Sequence, residues 1–165
     1  MNDDELAGLR NMADQWACQK LQERYWYAEA TRNADDILSV FTEDARYGSV
    51  QGKAEIRKTI DKYMGELMTP VAENYHIVPI VVNIDVNGDH AAGDIRGVGF
   101  IRVTEAGSND KMLVMGIGYR NEFTRTSDGW RISAMRGIES GFTIAHDTTW
   151  QFVAECSPAI FAAAH

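Results

Sequence analysis

Residues 25–56 read YWYAEATRNADDILSVFTEDARYGSVQGKAEI, and this stretch decides the predicted fold. It joins the end of a long helix to a short helix with acidic residues at its start. A strand, a glycine turn and a new helix follow. This order predicts an α+β fold in which helices close one end of a curved, cone-shaped antiparallel sheet. Such a cone has an interior, and an interior can hold a ligand.

Three helices are predicted in the first part of the chain. Residues 5–31 predict a long helix, because apolar side chains recur every three or four residues. Its expected buried stripe is Leu6, Leu9, Ala13, Trp16, Ala17, Leu21, Tyr25 and Ala28. Asn33 or Asp35 can cap a second helix, and Gly52 precedes a third helix that Pro70 ends. The residues expected inward on these two helices are Ile37, Leu38, Phe41, Ile56, Ile60, Tyr63, Met64 and Leu67.

Strands follow the third helix. The predicted long strands cover residues 75–85, 90–104, 111–126 and 130–138. Asn87-Gly88 and Asp128-Gly129 predict hairpin turns, because such pairs readily adopt positive φ. With a short strand near residues 46–50, this predicts a meander of four long antiparallel strands that wraps around the long helix. We expect one domain over residues 1–165, with an apolar tail over residues 143–165.

Composition limits the partners. The chain has 16 Lys and Arg against 24 Asp and Glu, a net charge of −8, which argues against nucleic acid. No apolar run approaches the ~20 residues that span a bilayer, and the first residues do not resemble a signal peptide. We therefore expect a cytoplasmic protein without a membrane partner, in which Cys18 and Cys156 stay reduced. The four His show no metal-ligand spacing and there is no Walker loop, so we expect no metal and no cofactor.

The strand over residues 91–102 predicts a cavity. Period-two alternation puts its charged residues on one face, and these prefer water. The opposite face, expected inward, carries Ala91, Gly93, Ile95, Gly97, Gly99 and Ile101. Glycines on an inward face make room for a bulky ligand, and Gly116 and Gly118 on the next strand repeat this theme. Alternatively, they only permit curvature, or a large side chain opposite fills the space.

Three polar residues are candidates for chemistry. His76 begins a strand, and its imidazole can act as a general base or acid; it can equally be a structural histidine. Tyr25 lies on the long helix, where its phenol can donate to a substrate oxygen or simply belong to the core. Alternation from Trp130 puts Arg136 on an apolar face, where a guanidinium needs a ligand or an ion-pair partner such as Glu29 or Glu139.

The chain resembles the SnoaL-like branch of the nuclear-transport-factor-2-like superfamily over about residues 10–142. The similar motifs are RYWYAEA (24–30), DDILSVFTEDARY (35–47), GKAEIRKTI (52–60), NYHIV (74–78) and EFTRTSDGWRISAMRGIES (122–140). The resemblance implies the cone-shaped, cystatin-like fold. The branch includes scytalone dehydratase, bile-acid dehydratase and hexachlorocyclohexane dehydrochlorinase, and lignin-derived diarylpropane lyases look similar.

The resemblance also implies roles for individual residues. His76 matches a strand-head His that abstracts a proton, Arg136 an Arg that helps a departing anion, and Tyr25 the helix position of a catalytic Tyr. The residues expected to line the substrate site are Tyr47, Ile95, Gly97, Met115, Tyr119 and Ser140. One departure matters: the Asp expected to orient the His falls on Ala30. Glu29 is adjacent but turned by about 100° around the helix.

Several functions are compatible with these observations. The leading hypothesis is a lyase, either a dehydratase or a formaldehyde-releasing enzyme of aromatic catabolism, acting on a bulky aromatic or polycyclic alcohol. A second is a non-catalytic ligand-binding or assembly subunit, like the small subunit of aromatic-ring dioxygenases. A third is an isomerase or polyketide cyclase, which needs an inward acid. We also expect a homo-oligomer, dimer or trimer, with contacts from Val98, Phe100, Phe123 and the apolar tail.

Overall fold

The fold consists of a long helix, two short helices and a sheet. The computed structural model describes residues 2–67, 72–103, 111–140 and 144–146. The helices are α1 (Asp3–Ala30), α2 (Ala34–Ser39) and α3 (Lys53–Lys62), and a π-helical turn follows at Tyr63–Leu67. The strands are β1 (Phe41–Tyr47), β2 (Val50–Gln51), β3 (Ala72–Asn87), β4 (His90–Val103), β5 (Lys111–Thr126), β6 (Gly129–Ser140) and β7 (Ile144–His146). Apart from β7, the predicted apolar tail lies outside the described residues.

The sheet has the strand order β2-β1-β6-β5-β4-β3, and β7 pairs with β5. The four long strands form the predicted antiparallel meander. β1 joins it in parallel with β6, which makes the sheet mixed. The α+β fold with a long N-terminal helix is therefore confirmed. The predicted short strand is longer than expected, since β1 begins at Phe41 and a turn separates it from β2.

Side chains define where α1 and α2 begin. Asn2 accepts a hydrogen bond from the backbone N–H of Glu5, and the Glu5 carboxylate accepts one from Asn2, both at 2.8 Å. This reciprocal pair is a capping box, which satisfies two backbone donors at the helix start. Of the two predicted caps for α2, the structure uses Asn33, whose side chain accepts from the N–H of Asp36 at 3.1 Å.

The buried face of α1 differs from the predicted stripe. Leu9 and Trp16 are 53% and 62% exposed, so the prediction that they are buried is wrong. The face that meets the sheet is polar in this half of the helix. Asp14 accepts a hydrogen bond from Trp130 Nε1 at 3.0 Å, and Gln15 donates to the carbonyl of Ile84 at 3.0 Å. The apolar periodicity therefore predicted the wrong face of α1 against the sheet in this half of the helix. Polar side chains can occupy that face because they have hydrogen-bond partners on the sheet.

The glycines of β4 face inward as predicted, but the space beside two of them is occupied. A Cβ added at Gly97 would lie 2.7 Å from the carbonyl oxygen of Val78 and 3.3 Å from the Trp26 ring. At Gly93 it would lie 2.8 Å from the Ile84 side chain. At these positions the alternative interpretation holds: the glycines let a large side chain and β3 approach closely.

The prediction that the β5 glycines also make room in the interior is wrong. Gly116 and Gly118 pair with Val98 and Arg96, residues on the opposite face of β4 from Gly97. They therefore cannot enlarge the interior next to that glycine. Successive residues of a strand point to opposite faces, so the register of the neighbouring strand decides which glycines face inward.

The outer surface carries apolar side chains at the β3 edge of the sheet. Val78 is 51%, Ile80 65% and Phe100 37% exposed. Phe123, in contrast, is 1% exposed and belongs to the core, so the prediction that it mediates contacts between subunits is wrong. Oligomerisation through Phe100 and Val98 stays a prediction. None of the helices within the described ranges has both the length and the apolarity needed to cross a membrane.

Gly97→Ala should destabilise the protein, because its Cβ meets backbone and ring atoms that pack closely. We expect the free energy of unfolding to fall by about 1–3 kcal/mol in chemical denaturation. Gly8→Ala is the matched control, since no atom lies within 4 Å of its added Cβ. At this exposed position of α1 the control should leave stability unchanged or raise it by up to about 1 kcal/mol. Equal stability of Gly97→Ala and wild type would contradict the close approach.

Candidate functional site

The candidate site is a buried hydrogen-bonded chain that we call the tyrosine–glutamate cluster: Tyr25, Glu29 and Tyr47. Tyr25 and Glu29 are four residues apart on α1, so their side chains share one face of the helix. The Tyr25 hydroxyl donates to Glu29 Oε1 at 2.8 Å. Tyr47, near the end of β1, places its hydroxyl 2.9 Å from that of Tyr25. These two hydrogen bonds therefore connect α1 to β1.

Aromatic rings surround the cluster. The Tyr25 ring meets Phe41 edge-on at 6.1 Å between centroids and Tyr119 at 5.9 Å. Tyr47 meets Phe41 edge-on at 5.9 Å. Tyr119 is the register partner of Ile95, which is 1% exposed. Four predicted site residues, Tyr25, Tyr47, Tyr119 and Ile95, thus come together in one aromatic-walled part of the interior.

Burial dominates the electrostatics of the cluster. Tyr25 and Glu29 are 1% and 5% exposed. Loss of solvation raises the pKa of Glu29 to about 7, although the hydrogen bond from Tyr25 opposes this. Burial, and then the charge of Glu29, raise the pKa of Tyr25 well above its usual value, and burial also raises that of Tyr47. A carboxyl group that titrates near neutrality is suited to acid–base chemistry.

Glu29 retains an unused acceptor. Its Oε2 atom is buried and has no hydrogen-bond partner within the part of the chain that the structure describes. Such a group costs free energy unless a ligand or a proton satisfies it. Tyr63, in the turn after α3, is a further phenol close enough to be affected by Glu29. Burial, and then the charge of Glu29, raise the pKa of Tyr63 to about 12.

Sequence reasoning missed the hydrogen bond between Glu29 and Tyr25, since it considered Glu29 as an ion-pair partner for Arg136 and as a carboxylate turned away from the position of the expected Asp. The i, i+4 spacing of Tyr25 and Glu29 was the signal that could have found it. Ala30 instead lines an open cleft of about 760 Å³ between α1 and β3. The other residues of that cleft are Glu23, Trp26, Tyr27, Ile77, Val78 and Pro79. The residue at the position of the expected Asp is thus apolar, and the carboxylate beside it points into the cluster.

Arg136 does not face this interior. In the pairing of β5 with β6, Glu122 opposes Ala134 while Phe123 opposes Ile132, so Ser133 is an extra residue. This bulge reverses the alternation that follows it. Met135 is therefore 2% exposed, and Arg136 is exposed on the outer face. The prediction that Arg136 shares an inward face with Ile132 is wrong.

The outer face around Arg136 holds its own charge network. Arg120 hydrogen-bonds Asp94 at 2.7 and 3.0 Å. These bonds, with a smaller contribution from Arg136, lower the pKa of Asp94. Asp94 faces outward as predicted, so it is not the inward acid that an isomerase needs.

Three predicted site residues are described only by their strand positions. His76 pairs with Phe100, Met115 with Gly99, and Ser140 with Ile117. Their side chains lie outside the described part of the structure, and their roles stay predictions. Gly97 is described and is covered by Trp26. Among the described residues, no group of three or more His, Cys, Asp or Glu is arranged to hold a metal ion.

Comparison with known proteins gives consistent results. The SnoaL-like domain family matches residues 10–136. A Mycobacterium tuberculosis protein described as uncharacterized is 28% identical over 144 residues, covering 84% of this chain and 92% of that protein.

Two solved structures share the fold. An NTF2-like protein with a cystatin-like fold from Novosphingobium aromaticivorans has 23% identity and a TM-score of 0.65, covering 82% of this chain and 88% of its own. A hexachlorocyclohexane dehydrochlorinase from Novosphingobium barchaimii has 14% identity and a TM-score of 0.60, covering 87% and 92%.

Glu29→Gln should change how stability depends on pH. The pKa of Glu29 is raised on folding from 4.5 to about 7, so the stability that its proton contributes is complete below pH 4.5 and is lost as pH rises through about 7. Relative to Glu29→Gln, wild type should lose up to about 1.4 kcal/mol per pH unit in that window. Denaturation at pH 5, 6, 7 and 8 measures this, with exposed Asp44→Asn as the control. Parallel stability curves for wild type and Glu29→Gln would contradict the assignment.

Proposed function

Because the chain belongs to the SnoaL-like domain family, we propose that it is a small-molecule lyase acting on a bulky aromatic or polycyclic alcohol. The observation that carries the proposal is the buried Tyr47–Tyr25–Glu29 chain inside an aromatic wall. Aromatic rings favour a flat apolar substrate, while the hydroxyls can bind its oxygen. The elimination catalysed by the similar dehydrochlorinase is a related type of reaction.

In the proposed reaction a carbon–oxygen bond breaks without oxidation or reduction. A general base, for which His76 is the candidate from the sequence, would take a proton from the carbon next to the one that bears the oxygen. The tyrosine hydroxyls would bind the oxygen and protonate it as it leaves. These steps release water. Release of formaldehyde would instead need the base to take the proton of a neighbouring hydroxymethyl group, so that the carbon–carbon bond to that group breaks and its electron pair forms the double bond. Arg136 is left out of the mechanism, because its side chain lies on the outer face.

The aromatic wall and the apolar surroundings of Trp26 support an aromatic substrate. Trp26 is 4% exposed, and its ring lies between Gly97 of β4 and Tyr119 of β5. A ligand that entered beside Tyr119 would meet ring faces and edges rather than charges. Such surroundings also strengthen hydrogen bonds to the substrate oxygen, since little water competes for them.

The alternative function is binding without catalysis, in a ligand-binding or assembly subunit. One observation favours this alternative. Ala30 occupies the position of the Asp that orients the His in the family pattern, and Ala30 lines an apolar cleft. Exposed Val78, Ile80 and Phe100 at the β3 edge are compatible with assembly into a larger complex. Co-purification with a larger subunit would favour this function over the lyase.

His76→Ala and Tyr25→Phe should each reduce turnover by about 10²–10⁴-fold, the usual contribution of a general acid or base. The assay follows the absorbance of the new conjugated double bond across a panel of arylalkyl and polycyclic alcohols, with formaldehyde detection in parallel. Tyr27→Phe is the matched control, since Tyr27 is 69% exposed. Unchanged turnover in both variants would overturn the proposal. Saturable ligand binding without turnover in wild type would favour the binding subunit.

A further inference from the structure

We propose that the Glu29 proton sets the direction of the hydrogen bonds in the tyrosine–glutamate cluster, and so decides whether Tyr47 donates to a bound substrate or accepts from it. The inference rests on the proposed function, since it assigns the proton that the leaving oxygen of the alcohol takes up. It also assigns a ligand class: molecules that present a hydroxyl or carbonyl oxygen to Tyr47.

The ionised form of Glu29 fixes one direction. A carboxylate can only accept, so the Tyr25 hydroxyl donates to Oε1, as its 2.8 Å distance allows. A phenol has a single proton, so the bond of 2.9 Å between Tyr25 and Tyr47 must then be donated by Tyr47. The proton of Tyr47 is thereby used, and Tyr47 offers a ligand only its lone pairs.

Protonated Glu29 permits both hydrogen bonds of the cluster to run in the opposite direction. Glu29 then donates to the Tyr25 oxygen, Tyr25 donates to Tyr47, and the Tyr47 proton is free for a ligand. Every bond keeps its length, and only the protons move. Tyr25 and Glu29 are almost fully buried, so water does not compete for these groups, whereas Tyr47 is only partly buried and is the member that can reach a ligand.

Two further phenols face the tyrosine–glutamate cluster: Tyr63, from the turn after α3, and Tyr119, from β5. Both are weak acids, and the pKa of Glu29, near 7, allows either of its forms at neutral pH. β3 packs against α1 and carries His76, whose side chain is outside the described part.

The two carboxylates of α2 point away from the tyrosine–glutamate cluster. On α2, Asp36 pairs with Arg24 at the surface at 3.3 Å. Asp35 pairs with Arg57 of α3, likewise among exposed side chains. These ion pairs are solvated and contribute little to the interior.

The proton balance of the elimination follows directly. The Tyr47 proton goes to the leaving oxygen, the Tyr25 proton to Tyr47, and the Glu29 proton to Tyr25. The electron pair of the carbon–oxygen bond leaves with the oxygen, and the pair of the adjacent carbon–hydrogen bond forms the double bond. His76 holds the proton from carbon, and its return to Glu29 restores the enzyme.

Infrared spectroscopy of the full-length protein tests the inference without a substrate. A protonated buried carboxyl gives a C=O band, assigned by its loss in Glu29→Gln, and we expect this band to disappear with a midpoint near pH 7. The C–O band of Tyr47, assigned by its loss in Tyr47→Phe, should shift with the same midpoint. Tyr25→Phe interrupts the chain, so the Tyr47 band should no longer shift with the Glu29 midpoint.

A ligand that can only accept hydrogen bonds tests the consequence. 2-Acetylnaphthalene should bind about tenfold more weakly at pH 8 than at pH 6, since only the protonated fraction of Glu29 makes Tyr47 a donor. This dependence should disappear in Tyr25→Phe and Glu29→Gln, and it should remain in Tyr27→Phe. His76→Ala should retain it as well, which separates Glu29 from the histidine.

The two experiments separate the inference from the proposed function. The inference is overturned if the C–O band of Tyr47 does not shift with the midpoint of Glu29. It is also overturned if ligand binding to Tyr25→Phe depends on pH in the same way as ligand binding to wild type. If 2-acetylnaphthalene binds to no form of the protein, the substrate class of the proposed function is wrong. The infrared midpoints then still decide the inference by themselves.

Discussion

The structure depends on the way α1 buries polar side chains against the sheet. Asp14 bonds the indole of Trp130, and Tyr25 bonds Tyr47. Between them, Asn121 of β5 donates to Gln22 at 2.6 Å, and both residues are fully buried. Three cross-links therefore fix the rotation and the height of the helix. A buried polar group without its partner costs about 1–3 kcal/mol, so slippage of α1 along the sheet would lose several such bonds together.

The hydrogen bonds between α1 and the sheet also account for the buried polar side chains within the apolar core. Among the described residues, Gln22 Nε2, Asn121 Oδ1 and Glu29 Oε2 find no hydrogen-bond partner. Polar groups of this kind specify one arrangement of the core, although an apolar core of the same shape could be as stable. Of these groups, the Glu29 carboxyl can also take part in acid–base chemistry together with the tyrosines that it contacts.

The sequence allowed the elements to be predicted, because each depends on local signals. Asn33 caps α2, Gly52 precedes α3, and the Asn87-Gly88 pair turns between β3 and β4. Tyr25, Tyr47 and Tyr119 lie on the helix and strands predicted for them. What failed depends on tertiary detail: Arg136 turned outward because of one extra residue at Ser133. No periodicity of β6 by itself reveals a bulge, since the bulge is defined by the partner strand.

The position of the acid on α1 decides which group it can act on. Ala30 lines the cleft beside Ile77, on the strand that carries His76, whereas Glu29 is turned by about 100° and bonds Tyr25. A side chain at position 30 would face this cleft. The carboxylate at position 29 instead accepts a hydrogen bond from the Tyr25 phenol, which is bonded in turn to Tyr47. The carboxylate in this part of α1 therefore belongs to the tyrosine–glutamate cluster and not to the cleft, and burial raises its pKa to about 7.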